Sequence, residues 1–207
     1  MTSITLLGDS IIDNKTYVQQ QEYSVLEHLN SLSKNKFFQL AYDGDTTVNV
    51  IERQLHSQEI AKSSHLVLSI GGNDLLQNIL FLHEGPIENI NKALADVHQR
   101  IFKSLEQRFE TIVEKLSSHR ANLLLCTVYE GDLGRTDEFR DVLDSSKIMV
   151  SSFNDTVYKT ASKYNADVLE LRHIFTSPED YANPIEPSHV GGEKLAQAIT
   201  DWIQKTL

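Results

Sequence analysis

The chain has 207 residues, of which 40% are hydrophobic and 23% are charged. This length suits one domain with a substantial buried core, and no apolar run is long enough to cross a bilayer. We therefore expect a single soluble domain over residues 1–207, without integral membrane association. The formal net charge of −10 argues against binding to nucleic acid or to an anionic membrane surface.

The only cysteine, Cys126, excludes an internal disulfide. It lies in the apolar run of residues 123–128, where we expect it to pack as a core thiol. The N-terminus passes into the first apolar run without a basic segment and a hydrophobic leader, which favours a cytoplasmic location.

Five apolar runs predict buried strands, and segments of helical periodicity alternate with them. The strands are predicted at residues 4–7, 37–42, 65–70, 122–129 and 167–171, and the helices at residues 17–32, from 46 or 47 onward, 87–116, 147–164 and from about 191 onward. The polar stretch 130–146 has no clear period and is expected to form a loop or short helix over the site. The alternation predicts an α/β fold with a parallel sheet covered by helices on both faces.

Three of the predicted strands end in polar loops that contain glycine. These loops are Gly8-Asp9-Ser10, Asp43-Gly44-Asp45 and Gly71-Gly72-Asn73-Asp74. Because the carboxyl ends of parallel strands lie at one edge of a sheet, the loops should meet there. A hydroxyl, a glycine amide and a carboxamide at one point are the groups that acyl transfer needs as nucleophile and oxyanion donors. Taken alone, Ser10 would more simply be a turn residue that caps a helix.

The three loops resemble, in order and spacing, blocks I, II and III of the SGNH (GDSL-like) hydrolases, and the last block extends the resemblance over nearly the whole chain. The resemblance implies a flavodoxin-like three-layer α/β/α sandwich around the five-stranded parallel sheet. It also implies a lipase or esterase that hydrolyses acyl or acetyl esters through an acyl-enzyme on Ser10. The implied oxyanion hole consists of the N–H groups of Ser10 and Gly44 and the side chain of Asn73. Asp9 and Asp74 are assigned supporting roles.

The last block departs from the family pattern, which is usually Asp-x-x-His followed by Pro and then by a Gly that enters the final helix. This chain reads Asn183-Pro184-Ile185-Glu186-Pro187-Ser188-His189-Val190-Gly191-Gly192. In one register, Glu186 orients His189, and His189 accepts the proton of Ser10. In the other register, which the spacing favours, Glu186 takes the usual histidine position and Asn183 the usual aspartate position.

The two registers predict different pH dependences. A histidine base with a pKa of about 6.5 would lose activity below about pH 6.5, whereas a glutamate with a pKa of about 4.3 would hold activity nearer to about pH 5. A glutamate base would be slow unless a dry pocket raised its pKa. His173, just after the fifth strand, is a further candidate base, although a loop histidine bonded to the backbone is its simpler role.

Two other functions fit the sequence. A hydrolase fold that binds an acylated or sugar ligand without turnover would account for the altered last block. A metal-dependent phosphoesterase would use the strand-end aspartates, but no histidine stands at a ligand spacing beside them, so we expect no metal and no other cofactor. The glycine motifs that bind nucleotide phosphates are absent from the sequence. The expected partner is a small-molecule ester, and the remaining histidines, at positions 28, 56, 65, 83, 98 and 119, are interpreted as surface or packing residues.

Overall fold

The computed structural model describes residues 2–79 and 89–207. The strands within these ranges are β1 (Ser3–Gly8), β2 (Lys36–Gln39), β3 (His65–Ser69), β4 (Asn122–Cys126) and β5 (Asp167–Leu169). The α-helices are α1 (Val25–Leu32), α2 (Thr47–Glu52), α3 (Gln58–Lys62), α4 (Gly72–Leu76), α5 (Ile90–Val97), α6 (Lys103–Ser117), α7 (Leu143–Tyr164) and α8 (His189–Lys205). A π-helical turn (His98–Phe102) joins α5 to α6, and short 3₁₀ turns occupy several of the loops.

All neighbouring strands are parallel, and their order in the sheet is β2-β1-β3-β4-β5. Thr5 in β1 pairs with Phe38 on one side and with Leu66 on the other. This is the flavodoxin-like order, in which ligands bind outside the carboxyl ends of the strands where the winding direction changes. The prediction of a five-stranded parallel sheet is confirmed.

Helices cover both faces of the sheet, as predicted for a three-layer sandwich. On one face, α1 and α8 pack against each other and against β1 and β4 through Leu29, Leu195 and Ile199. On the other face, α6 and α7 bring Phe109 and Phe153 together edge to face, with their ring centroids 5.3 Å apart. Burial of each such aromatic ring contributes about 2–3 kcal/mol, so the sheet is fixed from both sides.

Three helices begin at residues other than the predicted ones. The helix predicted from residue 17 begins only at Val25, because Ser24 accepts a hydrogen bond from the N–H of Glu27 and the Glu27 side chain accepts from the N–H of Ser24. The helix predicted from residue 147 begins at Leu143, and the last helix begins at His189, two residues before the glycines.

Other predictions have mixed outcomes. The predicted helix start at residue 87 and the histidine at position 83 lie outside the described residues. The stretch 130–146 forms 3₁₀ turns before α7 begins, which agrees with the predicted loop or short helix. Cys126 is 1% exposed, as expected of a core thiol. In the two described ranges no helix has both the length and the apolar character needed to cross a membrane. The single domain over residues 1–207 stays a prediction.

Gly8 ends β1 in a conformation that no other residue type could adopt without strain. Its φ is +137°, and a Cβ added at this position would lie 1.8 Å from the carbonyl oxygen of Ser69 in β3. The chain can therefore turn at the edge of the sheet only because this residue has no side chain.

We expect Gly8→Ala to lower the free energy of unfolding by at least about 3 kcal/mol, because it adds backbone strain to a collision with the neighbouring strand. Urea unfolding followed by circular dichroism measures the loss. Gly134→Ala is the matched control, since a Cβ there would meet nothing within 4 Å, and we expect it to change stability by less than about 1 kcal/mol. Equal effects of the two substitutions would contradict this account of Gly8.

Candidate active site

Ser10 lies in the tight turn that follows β1. The N–H groups of Ile12 and Asp13 both donate to the carbonyl of Asp9, at 3.1 and 2.9 Å, and so close the turn around Ser10. The residue is only 4% exposed, but it lines a cavity at the carboxyl edge of the sheet. This is the place that the strand order assigns to a ligand.

A buried glutamine holds the peptide groups of Gly8 from the opposite side. Gln54, 2% exposed, accepts a hydrogen bond from the N–H of Gly8 at 2.9 Å and donates to its carbonyl at 2.7 Å. The same Nε2 group donates to Asp45 Oδ2 at 2.6 Å. Gln54 thus connects the turn that carries Ser10 to the loop that carries Gly44.

The three predicted oxyanion donors have free N–H groups. Among the described residues, no partner accepts a hydrogen bond from the main-chain N–H of Ser10 or of Gly44. The side-chain amide of Asn73 donates to the carbonyl of Asp45 at 3.0 Å, which uses one of its two N–H groups. Ser10 and Asn73 line the cavity, whereas Gly44 lies outside its lining.

Asp74 connects the loops after β2 and β3. Its carboxylate accepts hydrogen bonds from the N–H and the hydroxyl of Thr47, at 2.9 and 2.7 Å, and pairs with Arg108 at 3.1 Å. Because Thr47 begins α2 and Asp74 lies in α4, this buried contact fixes the Gly44 loop relative to Asn73. The supporting role of Asp74 in catalysis stays a prediction.

Glu186 is the predicted base that lies in the same cavity as Ser10. The residue is 5% exposed, and its Oε2 atom is buried without a hydrogen-bond partner. Burial raises the pKa of its carboxyl group from the ordinary 4.5 to about 7. A hydrogen bond with the Ser10 side chain opposes part of this increase, and the negative charge of Asp43 adds to it.

The backbone around Glu186 is held by its neighbours. The side chain of Asn183 accepts hydrogen bonds from the N–H groups of Ile185 and Glu186, both at 2.9 Å. The carbonyl of Pro184 accepts from the N–H of Asp132 at 2.8 Å. The carboxamide oxygen of Asn183 therefore shapes the loop by binding two backbone N–H groups.

His189 faces away from the cavity. It is the first residue of α8, and its Nδ1 atom lies 3.1 Å from Nε2 of His28 and 3.1 Å from the N–H of Tyr23. These contacts join α8 to α1, and His189 is not among the residues that line the cavity. His173, at the end of a 3₁₀ turn, is exposed and likewise absent from the lining. Of the predicted bases, only Glu186 shares the cavity with Ser10.

Asp9 contributes a second buried carboxyl group. It is 2% exposed, lines the cavity, and accepts a hydrogen bond from the N–H of Ile11 at 3.1 Å. Burial raises the pKa of Asp9 well above its usual range, and the negative charge of Glu186 adds to the increase. Within residues 2–79 and 89–207, no three His, Cys, Asp or Glu side chains are grouped so as to hold a metal ion.

The cavity beside Ser10 has a volume of about 70 Å³ and largely apolar walls. These walls come from α4 and the residues just after it, from the loop after β4 and from the first turns of α7. They include Leu75, Leu76, Ile79, Leu133, Met149 and Val150. Sequence analysis did not single out these residues or Gln54. The apolar positions directly after Asn73 were the only local signal, since the other contributors are distant in sequence.

Comparisons with known proteins agree with this geometry. The model of the GDSL-like lipase/acylhydrolase family matches residues 6–191. No curated protein sequence matches the chain.

Solved structures with the same fold include an acetyl xylan esterase variant from Geobacillus stearothermophilus, with 16% identity, a TM-score of 0.67 and coverage of 98% of this chain and 94% of that one. An extracellular lipase from Streptomyces rimosus has 15% identity, a TM-score of 0.69 and coverage of 97% and 99%. A phospholipase A1 from Streptomyces albidoflavus has 14% identity, a TM-score of 0.68 and coverage of 97% and 98%. Two further structures of the esterase are catalytic mutants, one at a histidine and one at a serine.

The raised pKa of Glu186 predicts a pH-dependent effect on stability. Because the folded state holds this proton up to about pH 7 and the unfolded state releases it near pH 4.5, the wild-type protein should lose stability between these values. Glu186→Gln should therefore be more stable than the wild type by about 3 kcal/mol above pH 7, and by nothing below pH 4.5.

Urea unfolding across this pH range measures the difference. Glu114→Gln, which removes an exposed carboxylate from α6, is the control and should show no pH-dependent gain. A constant difference between Glu186→Gln and the wild type at all pH values would show that burial does not raise this pKa.

Proposed function

Since the chain belongs to the GDSL-like lipase/acylhydrolase family, whose members hydrolyse ester bonds, we propose that it cleaves short-chain carboxylic esters through an acyl-enzyme on Ser10, with Glu186 as the general base. The observation that carries the assignment of the base is the buried carboxyl group of Glu186 beside the Ser10 hydroxyl. Location in the cytoplasm stays a prediction.

In the proposed reaction, Glu186 takes the proton of the Ser10 hydroxyl while the oxygen of Ser10 attacks the ester carbonyl. The negative charge that develops on the carbonyl oxygen is stabilised by the N–H groups of Ser10 and Gly44 and by the free N–H of Asn73. The protonated Glu186 then gives its proton to the leaving alcohol. A water molecule, activated by Glu186 in the same way, releases the acid and restores Ser10.

A pKa of about 7 for Glu186 suits this role, because a general base works best when its pKa is close to the operating pH. The dry surroundings of the carboxyl group remove the objection that a glutamate base would be slow. They also remove the expected difference in pH dependence between a histidine base and a glutamate base, because the raised pKa of Glu186 lies near the ordinary value of a histidine. Substitutions must therefore identify the base.

The apolar cavity is the proposed acyl site. Its volume of about 70 Å³ is roughly half that of an apolar cavity that holds benzene, which suits an acyl group of about two to four carbon atoms. The cavity favours simple acyl groups over bulky or charged ones, because its walls offer few polar partners.

A fold that binds such a ligand without turnover is the second candidate. It is favoured by one observation: the position where the family usually has an aspartate holds Asn183, whose carboxamide oxygen accepts hydrogen bonds from backbone N–H groups. Position 183 therefore has no carboxylate that could orient the proposed base.

We expect the protein to hydrolyse p-nitrophenyl acetate and butyrate faster than the octanoate, and to react with a fluorophosphonate that labels Ser10. Ser10→Ala should lower kcat by at least about 10³-fold and abolish labelling, because it removes the nucleophile. Ser146→Ala, which removes another serine that lines the cavity, should keep both properties. Turnover that survives in Ser10→Ala would refute the nucleophile, and ligand binding with neither turnover nor labelling would favour the second candidate.

We expect kcat/KM to rise with pH up to about 7 and then to level off, because only the ionised Glu186 can accept a proton. Glu186→Gln should lower kcat by about 10²- to 10⁴-fold. His189→Ala should leave kcat/KM within about threefold of the wild type and keep the same pH profile, since this ring contacts α1. The rates of the wild type and of both variants, measured from pH 4.5 to 9, check these expectations. A larger loss in His189→Ala than in Glu186→Gln would make His189 the base.

A further inference from the structure

We infer that the site selects esters by charge: it favours a cationic alcohol portion, such as a quaternary ammonium alcohol, over a neutral group of the same shape, and it disfavours an anionic one. The cationic group would lie in a second cleft that adjoins the acyl cavity. This inference rests on the proposed function and names the substrate class of the same site.

The acyl cavity carries acidic groups without basic ones. Asp9, Glu130 and Glu186 line it, and its lining contains no lysine, arginine or histidine among the described residues. Burial raises the pKa of Asp9 and that of Glu186, the latter to about 7, so that Glu186 is about half ionised at neutral pH. The carboxyl group of Glu186 is almost completely buried there, and its Oε2 atom has no hydrogen-bond partner. A ligand that brings positive charge towards this oxygen would satisfy it.

Further carboxylates near Ser10 are bound only by neutral donors. The hydroxyl of Tyr17 donates to both carboxylate oxygens of Asp43 at 3.0 Å. Asp13 accepts from the amide of Gln39 at 2.8 Å and from the N–H of Asp43 at 3.1 Å. Neutral donors stabilise these carboxylates without cancelling their charge, so the field at the cavity stays negative.

Arg135 donates to the carbonyl of Tyr181 at 3.3 Å, and four other basic side chains around the site are paired with acids outside the cavity. Their charges are therefore already balanced and cannot offset the carboxylates of the cavity. These pairs are Arg53 with Asp45, Arg108 with Asp74, Arg172 with Glu170, and Lys15 with Glu27. A cleft whose walls carry a net negative charge concentrates cationic ligands. The net charge of −10 acts in the same direction at longer range.

The second cleft has a volume of about 360 Å³ and shares Glu130 and Gly131 with the acyl cavity. Asp132, Phe175 and Tyr181 also line it, as does Arg172, whose guanidinium group is paired with Glu170. Carboxylates combined with aromatic rings are the groups that bind quaternary ammonium ions. Because Glu130 and Gly131 line both spaces, an ester with its acyl group beside Ser10 would direct its alcohol portion towards this cleft.

The test compares three acetate esters: acetylcholine, its neutral isostere 3,3-dimethylbutyl acetate, and the anionic 2-acetoxyethanesulfonate. At low ionic strength, we expect kcat/KM for the cation to exceed that for the isostere about five- to tenfold, and the anion to be at least about fivefold slower than the isostere. Both ratios should shrink towards one as the salt concentration is raised to about 0.5 M, because salt screens the charges. Equal rates for the three esters would overturn the inference and leave the proposed hydrolysis intact.

Asp132→Asn locates the effect, since no hydrogen bond or ion pair of the Asp132 side chain is found in the described residues. It should lower the cation-to-isostere ratio at least about threefold. Asp201→Asn, which removes one exposed charge from α8, is the matched control and should leave the ratio unchanged. Equal changes in both variants would overturn the assignment to the second cleft.

Binding measured without turnover separates this inference from the proposed function. By calorimetry, Ser10→Ala should bind choline more tightly than 3,3-dimethylbutanol, again by about five- to tenfold. This preference would support the cationic cleft even if none of the esters were hydrolysed. Equal affinity for the two alcohols would overturn it.

Discussion

The contact between Gly8 and the backbone of Ser69 determines where every other part of the site can lie. It allows β1 to end against β3 and to turn at once, so that Ser10 lies at the carboxyl edge of the sheet. Gln54 holds the same peptide groups from the side of α2 and reaches Asp45, whose carbonyl in turn binds Asn73. One connected set of buried hydrogen bonds thus sets the positions of Ser10 and of the loops that carry Gly44 and Asn73.

Burial of Glu186 links reactivity to stability. The apolar walls that raise the pKa of its carboxyl group make the carboxylate a stronger base, and they also make the folded state less stable whenever that group is ionised. A carboxylate in water would leave the fold more stable but would accept the proton of Ser10 poorly. Sites that combine function with a local loss of stability in this way are common among enzymes.

The sequence predicted the sheet, its parallel arrangement and the three strand-end loops, because apolar runs and glycine positions act locally and each has few structural solutions. It did not decide between Glu186 and His189. The position of His189 depends on Ser188, which caps α8 so that His189 starts the helix and contacts His28 of α1. Gln54 escaped notice because its partner Gly8 is 46 residues away along the chain, and no periodic pattern marks such a contact.

The role of Asn183 bears on how a family with histidine bases and a chain with Glu186 could be connected by descent. The carboxamide oxygen of Asn183 shapes the loop by accepting two backbone N–H groups, and an aspartate oxygen could accept the same bonds. Exchange of Asn183 for aspartate would therefore preserve the fold as a neutral first substitution. A histidine introduced later at position 186 would then have a carboxylate at position 183 as its partner. If the histidine came first, its imidazole would have only the amide of Asn183 as a neighbour. The path that begins with aspartate at position 183 is therefore the more accessible one to natural selection.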